Sequence, residues 1–303
     1  MNLTKYKFIP LSQENIKSAL EFLLPQEESC VTLLSRIIDG MPNELFSYYI
    51  LCQIHNDDCE YKIRAVTIRG VIMISKGGLI QHHFENPTEL ENSIDFQNQL
   101  KILLENKNLY CIMGDKNGSK LLIKTISKIF NNKLPYENRE YLLLKYHPEY
   151  LPDFPDEKTP EFSELVHCDI SNLEDLYEIQ KNYDIVEVLP PGKEFSELNC
   201  KTLLRKNLET QIIYAIKKDD KFVAKAGSNA IGKNFIQLGG VFTDENYRGQ
   251  GFAQVLIKEL CKTIRNMNKE PVLFVQVKNE SAKRAYRKVG FVYQSDYTIC
   301  YYN

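Results

Sequence analysis

An α/β fold with a mixed sheet, repeated in two halves of one chain, is what the sequence predicts. Three observations carry it. Residues 235–277 alternate strand, helix and strand patterns, which makes a right-handed parallel crossover. A similar order runs through 79–146. Between the halves, Pro148, Pro152, Pro155 and Pro160 crowd the segment 147–160, and proline lacks a donor N–H and fixes its φ, so neither helix nor ladder runs through it. The expected domains are therefore 1–147 and 161–303, with 148–160 as linker; 303 residues suit two domains of about 150.

In the second half, 165–170 reads as a short strand. Ser171 or Asn172 offers an N-cap for a helix to about Tyr183, with Leu173, Leu176, Tyr177 and Ile179 toward its buried side. Leu189-Pro190-Pro191-Gly192 breaks the chain, and a second helix is expected from Ser196 to about Leu208. Strands follow at 212–216, 222–226 and 235–243, separated by turns at Asp219-Asp220 and Ile231-Gly232-Lys233-Asn234. Phe252, Val255, Leu256, Leu260, Ile264 and Met267 recur at helical spacing. The apolar run 272–277 suits a buried strand. Ala282, Ala285, Tyr286 and Val289 mark a short helix, and 291–293 and 297–302 read as closing strands.

The first half echoes this order: strand 79–84, helix 89–105, strand 109–113, helix 119–130 and strand 139–146. Lys116-Asn117-Gly118-Ser119 parallels Lys278-Asn279-Glu280-Ser281 at the matching junction. The order of elements points to a diverged internal duplication.

A net charge of −2 argues against a general grip on nucleic acid, which needs a basic patch. No apolar run approaches the roughly 20 residues that cross a bilayer. The N-terminal MNLTKYKFIP lacks the apolar core of a signal peptide, so a cytoplasmic, soluble protein is expected. Cys30, Cys52, Cys59, Cys111, Cys168, Cys200, Cys261 and Cys300 include no C-x-x-C pair and read as small buried hydrophobes in a reducing compartment. His82-His83 lie on a strand, where neighbours point to opposite faces and do not chelate. No metal is expected.

The sharpest feature is Tyr247-Arg248-Gly249-Gln250-Gly251-Phe252-Ala253, between a strand and a helix. Its glycines allow a tight turn and close approach of a ligand. The first amides of the following helix lack intrahelical acceptors, and the helix dipole adds positive charge, which suits a pyrophosphate. Arg248 can add a charge-assisted contact. It is neither a P-loop nor G-x-G-x-x-G, and alone it does not distinguish a phosphate site from an ordinary loop. Further on, Asn279 is followed seven residues later by Tyr286 and then by Gly290-Phe291. Singly these read as an N-cap, a core tyrosine and a C-cap.

Together, the two segments resemble the GNAT superfamily of N-acetyltransferases. Arg248-x-x-Gly251-x-Ala253 is similar to its acyl-CoA signature Q/R-x-x-G-x-G/A, and Asn279, Tyr286 and Gly290-Phe291 match its second motif. The resemblance covers about 160–303. The layout is also similar to the glycine N-acyltransferase-like branch, in which a diverged GNAT half precedes an active one. The resemblance implies a tandem GNAT-like fold with a degenerate N-terminal copy, acetyl-CoA as cosubstrate, and direct transfer to an amine of a small molecule, amino acid or peptide. By the same resemblance, Val241, Phe242, Thr243, Arg248, Gly249, Gln250, Gly251, Phe252, Ala253, Asn279 and Tyr286 line the CoA site. An amide near Val241 polarises the thioester carbonyl, and Tyr286 protonates the leaving thiolate. The alternative is a CoA-binding sensor or scaffold without turnover.

The general base is not legible. Glu187, Glu194 and Glu197 lie on the acceptor side by family topology, and 183–200 is expected to shape the acceptor pocket. The first half is expected to be structural and not to bind acetyl-CoA. Its junction 82–89 has no glycine, carries Glu85 and Glu89, and loses an amide at Pro87; counting seven from Asn117 gives Lys124 in place of the tyrosine.

Overall fold

The structure, a computed structural model, describes residues 5–40, 44–54, 66–150, 160–189 and 193–303. Cys59, residues 151–159 of the expected linker and Pro190, Pro191 and Gly192 lie outside them. The chain divides into two compact units, Met1–Leu142 with Ser295–Asn303, and Leu143–Gln294.

In the first part of the chain the elements are β1 (Lys5–Pro10), α1 (Ile16–Leu23), α2 (Glu27–Asp39), β2 (Phe46–Ile54), β3 (Val66–Ser75), β4 (Leu79–Phe84), α3 (Pro87–Leu90), α4 (Ile94–Leu104), β5 (Cys111–Asp115), α5 (Lys116–Ile129) and β6 (Glu137–Tyr146). The second part repeats the order with β7 (Glu164–Cys168), α6 (Leu173–Tyr183), α7 (Glu197–Thr210), β8 (Ile213–Lys218), β9 (Lys221–Ile231), β10 (Phe235–Thr243), α8 (Phe252–Asn266), β11 (Glu270–Gln276), α9 (Glu280–Val289) and β12 (Phe291–Tyr301). The expected repeat is thus present in full, with α3 and α4 standing where α8 stands in the second copy.

In the first unit the strand order is β1-β2-β3-β4-β5-β12. Only β4 and β5 run parallel, from Leu79↔Cys111 to Gln81↔Met113. Alternation on β3 sends Val71 and Met73 against α1 and α2, and Ile72 and Ile74 against α4 and α5. Both faces are therefore covered at 71–74, which is why these four residues are apolar without a break. The helix expected at 89–105 is two pieces; Ser93 caps the second, its Oγ accepting from Phe96 N at 3.2 Å.

In the second unit the order is β6-β11-β10-β9-β8-β7. Leu176, Ile179, Leu204 and Leu208 of α6 and α7 pack on Ile213, Ala215 and Phe242. The apolar face of α8 buries Leu256, Ile257, Leu260 and Ile264. Asp169 follows β7 and caps the next turn through a reciprocal pair with Asn172.

The closing strands expected at 291–293 and 297–302 form one strand, β12. Its residues from Ser295 belong to the first unit, where Tyr297↔Asp115 through Tyr301↔Cys111 pair antiparallel with β5. The last turn of sheet in the first unit is thus supplied from the far end of the chain.

Candidate functional site

The second unit's site begins where β10 and β11 part. Their parallel ladder runs from Phe235↔Glu270 to Leu238↔Leu273, while β10 continues to Thr243 and β11 to Gln276. On its other edge β10 carries a bulge: Gly239 faces Gly227 and Phe242 faces Lys225, so Gly240 and Val241 share one partner interval. Gly240 sits at φ +59°, a conformation that L side chains rarely adopt. The bulge turns Gly240-Val241 out of the ladder beside the opening. Phe242 is buried against α6, and Thr243 pairs with Ala224.

After β10, Asp244 caps a short 3-10 turn at Glu245–Tyr247 and the chain enters α8 through Arg248-Gly249-Gln250-Gly251. Gly249 and Gly251 both lie at positive φ, +78° and +89°. Gly251 is the N-cap and has no side chain to accept from the first turn; its carbonyl accepts from Gln254 N and Val255 N. Among the described residues, the backbone N–H groups of Gly249 through Ala253 find no acceptor. A row of such donors at a helix N-terminus is a cradle for an anion. No acidic side chain stands in the first turn of α8.

The side chains around the cradle are placed as follows. Arg248 Nε donates to Thr243 O at 3.1 Å, and its guanidinium lies 5.8 Å from the Phe242 ring centroid, so this arginine ties the turn to the end of β10. Lys218, at the end of β8, donates to Gln250 Oε1 at 3.4 Å and lies 5.8 Å from the Phe252 ring. It adds a cation at the cradle that the sequence reading did not single out. Phe252 is fully buried.

Just after β11, Asn279 caps α9, its Oδ1 accepting from Ala282 N at 3.0 Å. Gly290 ends the helix in the left-handed region. Tyr286 is 8% exposed, and its hydroxyl has no hydrogen-bond partner among the described residues. Burial raises its pKa, with the nearby Tyr183 and Glu187 adding to the rise. The phenol is therefore held protonated. Asn279 and Tyr286 thus lie on one helix, the one that follows β11, and Val241 through Ala253 run from the end of β10 through the turn into α8.

On the α6 side the structure adds groups that no motif marks. α6 continues as a π-helical turn, Asp184–Val188, closed by Leu189 N donating to Asp184 O at 2.8 Å. Tyr183 packs 6.0 Å from the Phe242 ring, and Lys225 Nζ lies 4.3 Å over the Tyr183 ring. Lys225 is 6% exposed, and burial pushes its pKa down to about 8 against an upward pull from Asp184. Of the carboxylates expected on the acceptor side, Glu187 and Glu194 are exposed and Glu197 pairs with Lys201 at 3.1 Å.

The first unit has no comparable cradle at its β4 junction. α3 spans only Pro87–Leu90, and Glu85 pairs with Arg69. The parallel drawn between Lys116–Ser119 and Lys278–Ser281 shifts by two residues, because Asp115 is the N-cap of α5, accepting from Gly118 N at 2.7 Å. Counting seven from this cap gives Leu122, fully buried, whereas Lys124 pairs with Glu91 on the surface. His82 and Ser119 meet in this core, Nε2 to Oγ at 3.0 Å, with both side chains buried.

Among the described residues no group of three or more His, Cys, Asp or Glu is placed to hold a metal, and no helix is long and apolar enough to cross a membrane. The seven described cysteines are buried free thiols.

Residues 173–291 match the model of the acetyltransferase (GNAT) family. Over the whole chain the fold is similar to an acetyltransferase of the GNAT family from Colwellia psychrerythraea, at 12% identity, TM-score 0.58, covering 99% of this chain and 100% of that one. A tandem GNAT protein from the clavulanic acid biosynthesis pathway matches at 8% identity and TM-score 0.59, covering 98% of each chain. A Drosophila protein matches at 12% identity and TM-score 0.60, covering 97% of this chain and 98% of that one. No curated protein matches the sequence.

Proposed function

Starting from a GNAT domain at 173–291 within a tandem GNAT fold, we propose that the second unit is an acetyl-CoA-dependent N-acetyltransferase. It passes an acetyl group directly to a primary amine of a small molecule, an amino acid or a peptide. The observation that carries this reading is the row of unpaired N–H donors from Gly249 to Ala253, set beside strands that part after Leu238 and Leu273.

In this reading Gly249 through Ala253 hold the pyrophosphate of CoA, with Lys218 and Arg248 as nearby cations. The pantetheine arm runs between β10 and β11. Val241 N–H, turned out of the ladder by the bulge, donates to the thioester carbonyl and stabilises the charge that develops there. The acceptor ammonium loses one proton before attack; the C–N bond then forms as the C–S bond breaks, and the second proton leaves nitrogen for sulfur. Tyr286 donates a hydrogen bond to the departing sulfur. Its raised pKa keeps the phenol protonated, whereas an ordinary thiol has a pKa of about 8.5. The hydroxyl therefore stabilises the thiolate chiefly as a donor. The buried free thiols fit a reducing, cytoplasmic setting. The first unit, 1–147 in the sequence reading, has a structural role and no CoA site.

The test is mass spectrometry of a primary-amine panel incubated with acetyl-CoA and the full chain. The reading expects one class of amine to gain an acetyl group, with equal release of CoA thiol. Saturable CoA binding without transfer to any amine would replace it with the sensor reading.

A further inference from the structure

Lys225 is the one buried ammonium at the bulge of β10. Its Nζ donates to Gly240 O at 3.1 Å, and a Cβ at residue 240 would stand 3.2 Å from it, so the glycine leaves room for the contact. The carbonyl of Gly240 and the N–H of Val241 belong to the same planar peptide unit. A cation bonded to the oxygen of a peptide draws electron density from its nitrogen and makes the N–H a stronger donor. We propose that Lys225 is a positioning residue of the acetyl transfer, holding and polarising the 240–241 peptide so that Val241 N–H stabilises the charge on the thioester oxygen. This inference rests on the acetyltransferase reading above.

The surroundings leave the ammonium's charge available for this. No carboxylate among the described residues forms an ion pair with it. Asp184, from the π-helical turn, faces it at longer range, its Oδ1 accepting from Gln180 Nε2 at 2.8 Å. The other titratable neighbours are Cys168 on β7, Cys200 on α7 and Tyr183 on α6. Burial raises both thiols to about 12, so they stay neutral. A trans peptide points its C=O and N–H in opposite directions, which sets Lys225 and the thioester oxygen on opposite sides of the 240–241 unit. This placement makes Lys225 unsuited to take the proton of the attacking amine. The two roles also differ in sign. A polarising lysine works while protonated and loses effect as pH rises through about 8; a basic lysine gains effect over the same range.

The experiment uses the full chain and two variants, Lys225→Met and Lys225→Arg. The first readout needs no substrate: the amide signal of Val241 in proton–nitrogen NMR, followed from pH 6 to about 10. In the wild type it should shift with a midpoint near 8, and in both variants it should stay flat over that range. The second readout is acetyl transfer to an amine found by the panel. Lys225→Met should lower kcat by about 10-fold with KM for acetyl-CoA unchanged, a smaller loss than deleting an oxyanion donor outright. Lys225→Arg should recover most of it and hold its rate above pH 8, where the wild type declines relative to it. A Val241 signal without a Lys225-dependent midpoint overturns the proposal, as does a rate that rises through pH 8 and is not rescued by arginine. If no amine is acetylated but the Val241 midpoint appears, the acetyltransferase reading fails and the polarised peptide stands.

Discussion

Replacing Gly251 with glutamate tests the cradle directly. The residue is the N-cap of α8 at φ +89°, and a Cβ there would touch only Pro160 ring atoms at 3.9 Å. Packing is therefore not disturbed. Backbone strain is, by about 1–2 kcal/mol, the usual cost of a left-handed L-residue. That cost falls on stability. The binding loss comes from a carboxylate beside the donors that the pyrophosphate needs. At a separation of about 6 Å and an effective dielectric between about 20 and 80, each phosphate charge is repelled by about 0.7–3 kcal/mol. We take about 2 kcal/mol net, since Gly251 is partly exposed and salt screens the site. This corresponds to about 30-fold weaker CoA binding. Gly251→Asn is the control, because asparagine tolerates the left-handed region and carries no charge. Isothermal titration calorimetry on the folded variants gives the answer. Equal CoA affinities for the two variants would refute the placement of the pyrophosphate.

Tyr286→Phe should leave CoA affinity unchanged and slow acetyl transfer by about 10²-fold, a typical size for losing one hydrogen-bond donor to developing negative charge; an unchanged chemical rate in rapid-quench kinetics would return this side chain to the core. Deleting residues 295–303 should strip protection from the β5 amides that face β12 and spare Cys111, whose N–H donates to Gly78 O on the other side; hydrogen exchange reads this, and full protection would show the strand to be dispensable. For pH, burial holds His82 at about 4, below the ordinary 6.5. Its neutral form thus contributes stability that is complete above about 6.5 and is lost as pH falls through that value toward 4, up to about 3 kcal/mol at about 1.4 kcal/mol per unit. Thermal melts of wild type and His82→Gln should converge as the pH drops from 7 to about 4; parallel curves would exclude the linkage.

What the sequence made legible is what spacing alone encodes. The turn 247–253, Asn279 and Tyr286 sit at fixed offsets on a strand–turn–helix path, and period 3.6 marks α8 without help from any distant residue. Lys225 escaped because its partner, Gly240, lies fifteen residues away across a hairpin whose register slips at a bulge. No local pattern announces such a slip. The π-helical turn after Tyr183 also escaped, since one turn of five residues is too short to show a periodicity. The two closing strands merged because Ser295 and Asp296, polar in sequence, sit in a strand that passes from one unit to the other. The mistaken register at Lys116–Ser119 has a similar origin: either Asp115 or Asn117 can cap a helix, and only the hydrogen bond to Gly118 N decides.

The two units show how one scaffold supports both a site and a core. In each, a parallel pair of strands ends early, at Gln81/Met113 in the first unit and at Leu238/Leu273 in the second. The residues just past the end are His82-His83 in one and Gly239-Gly240 in the other. The His82 ring stacks on Phe84 with centroids 5.4 Å apart, and Gly114 and Gly118 lie so close to it that a Cβ at either would come within 2.4 and 2.7 Å. Imidazole thus fills the first unit's gap, and Ser119 satisfies its Nε2. In the second unit the same step of the strand is glycine, the backbone bulges outward, and N–H donors, a tyrosine hydroxyl and a buried ammonium remain underused. Gly249 and Gln250 are exposed, so water can serve their N–H groups until a ligand replaces it. Residues 82–83 and 239–240 therefore separate the copies at this step, a buried imidazole in the first and a bulged glycine pair in the second, and on the acetyltransferase reading it is the bulged copy that takes the ligand.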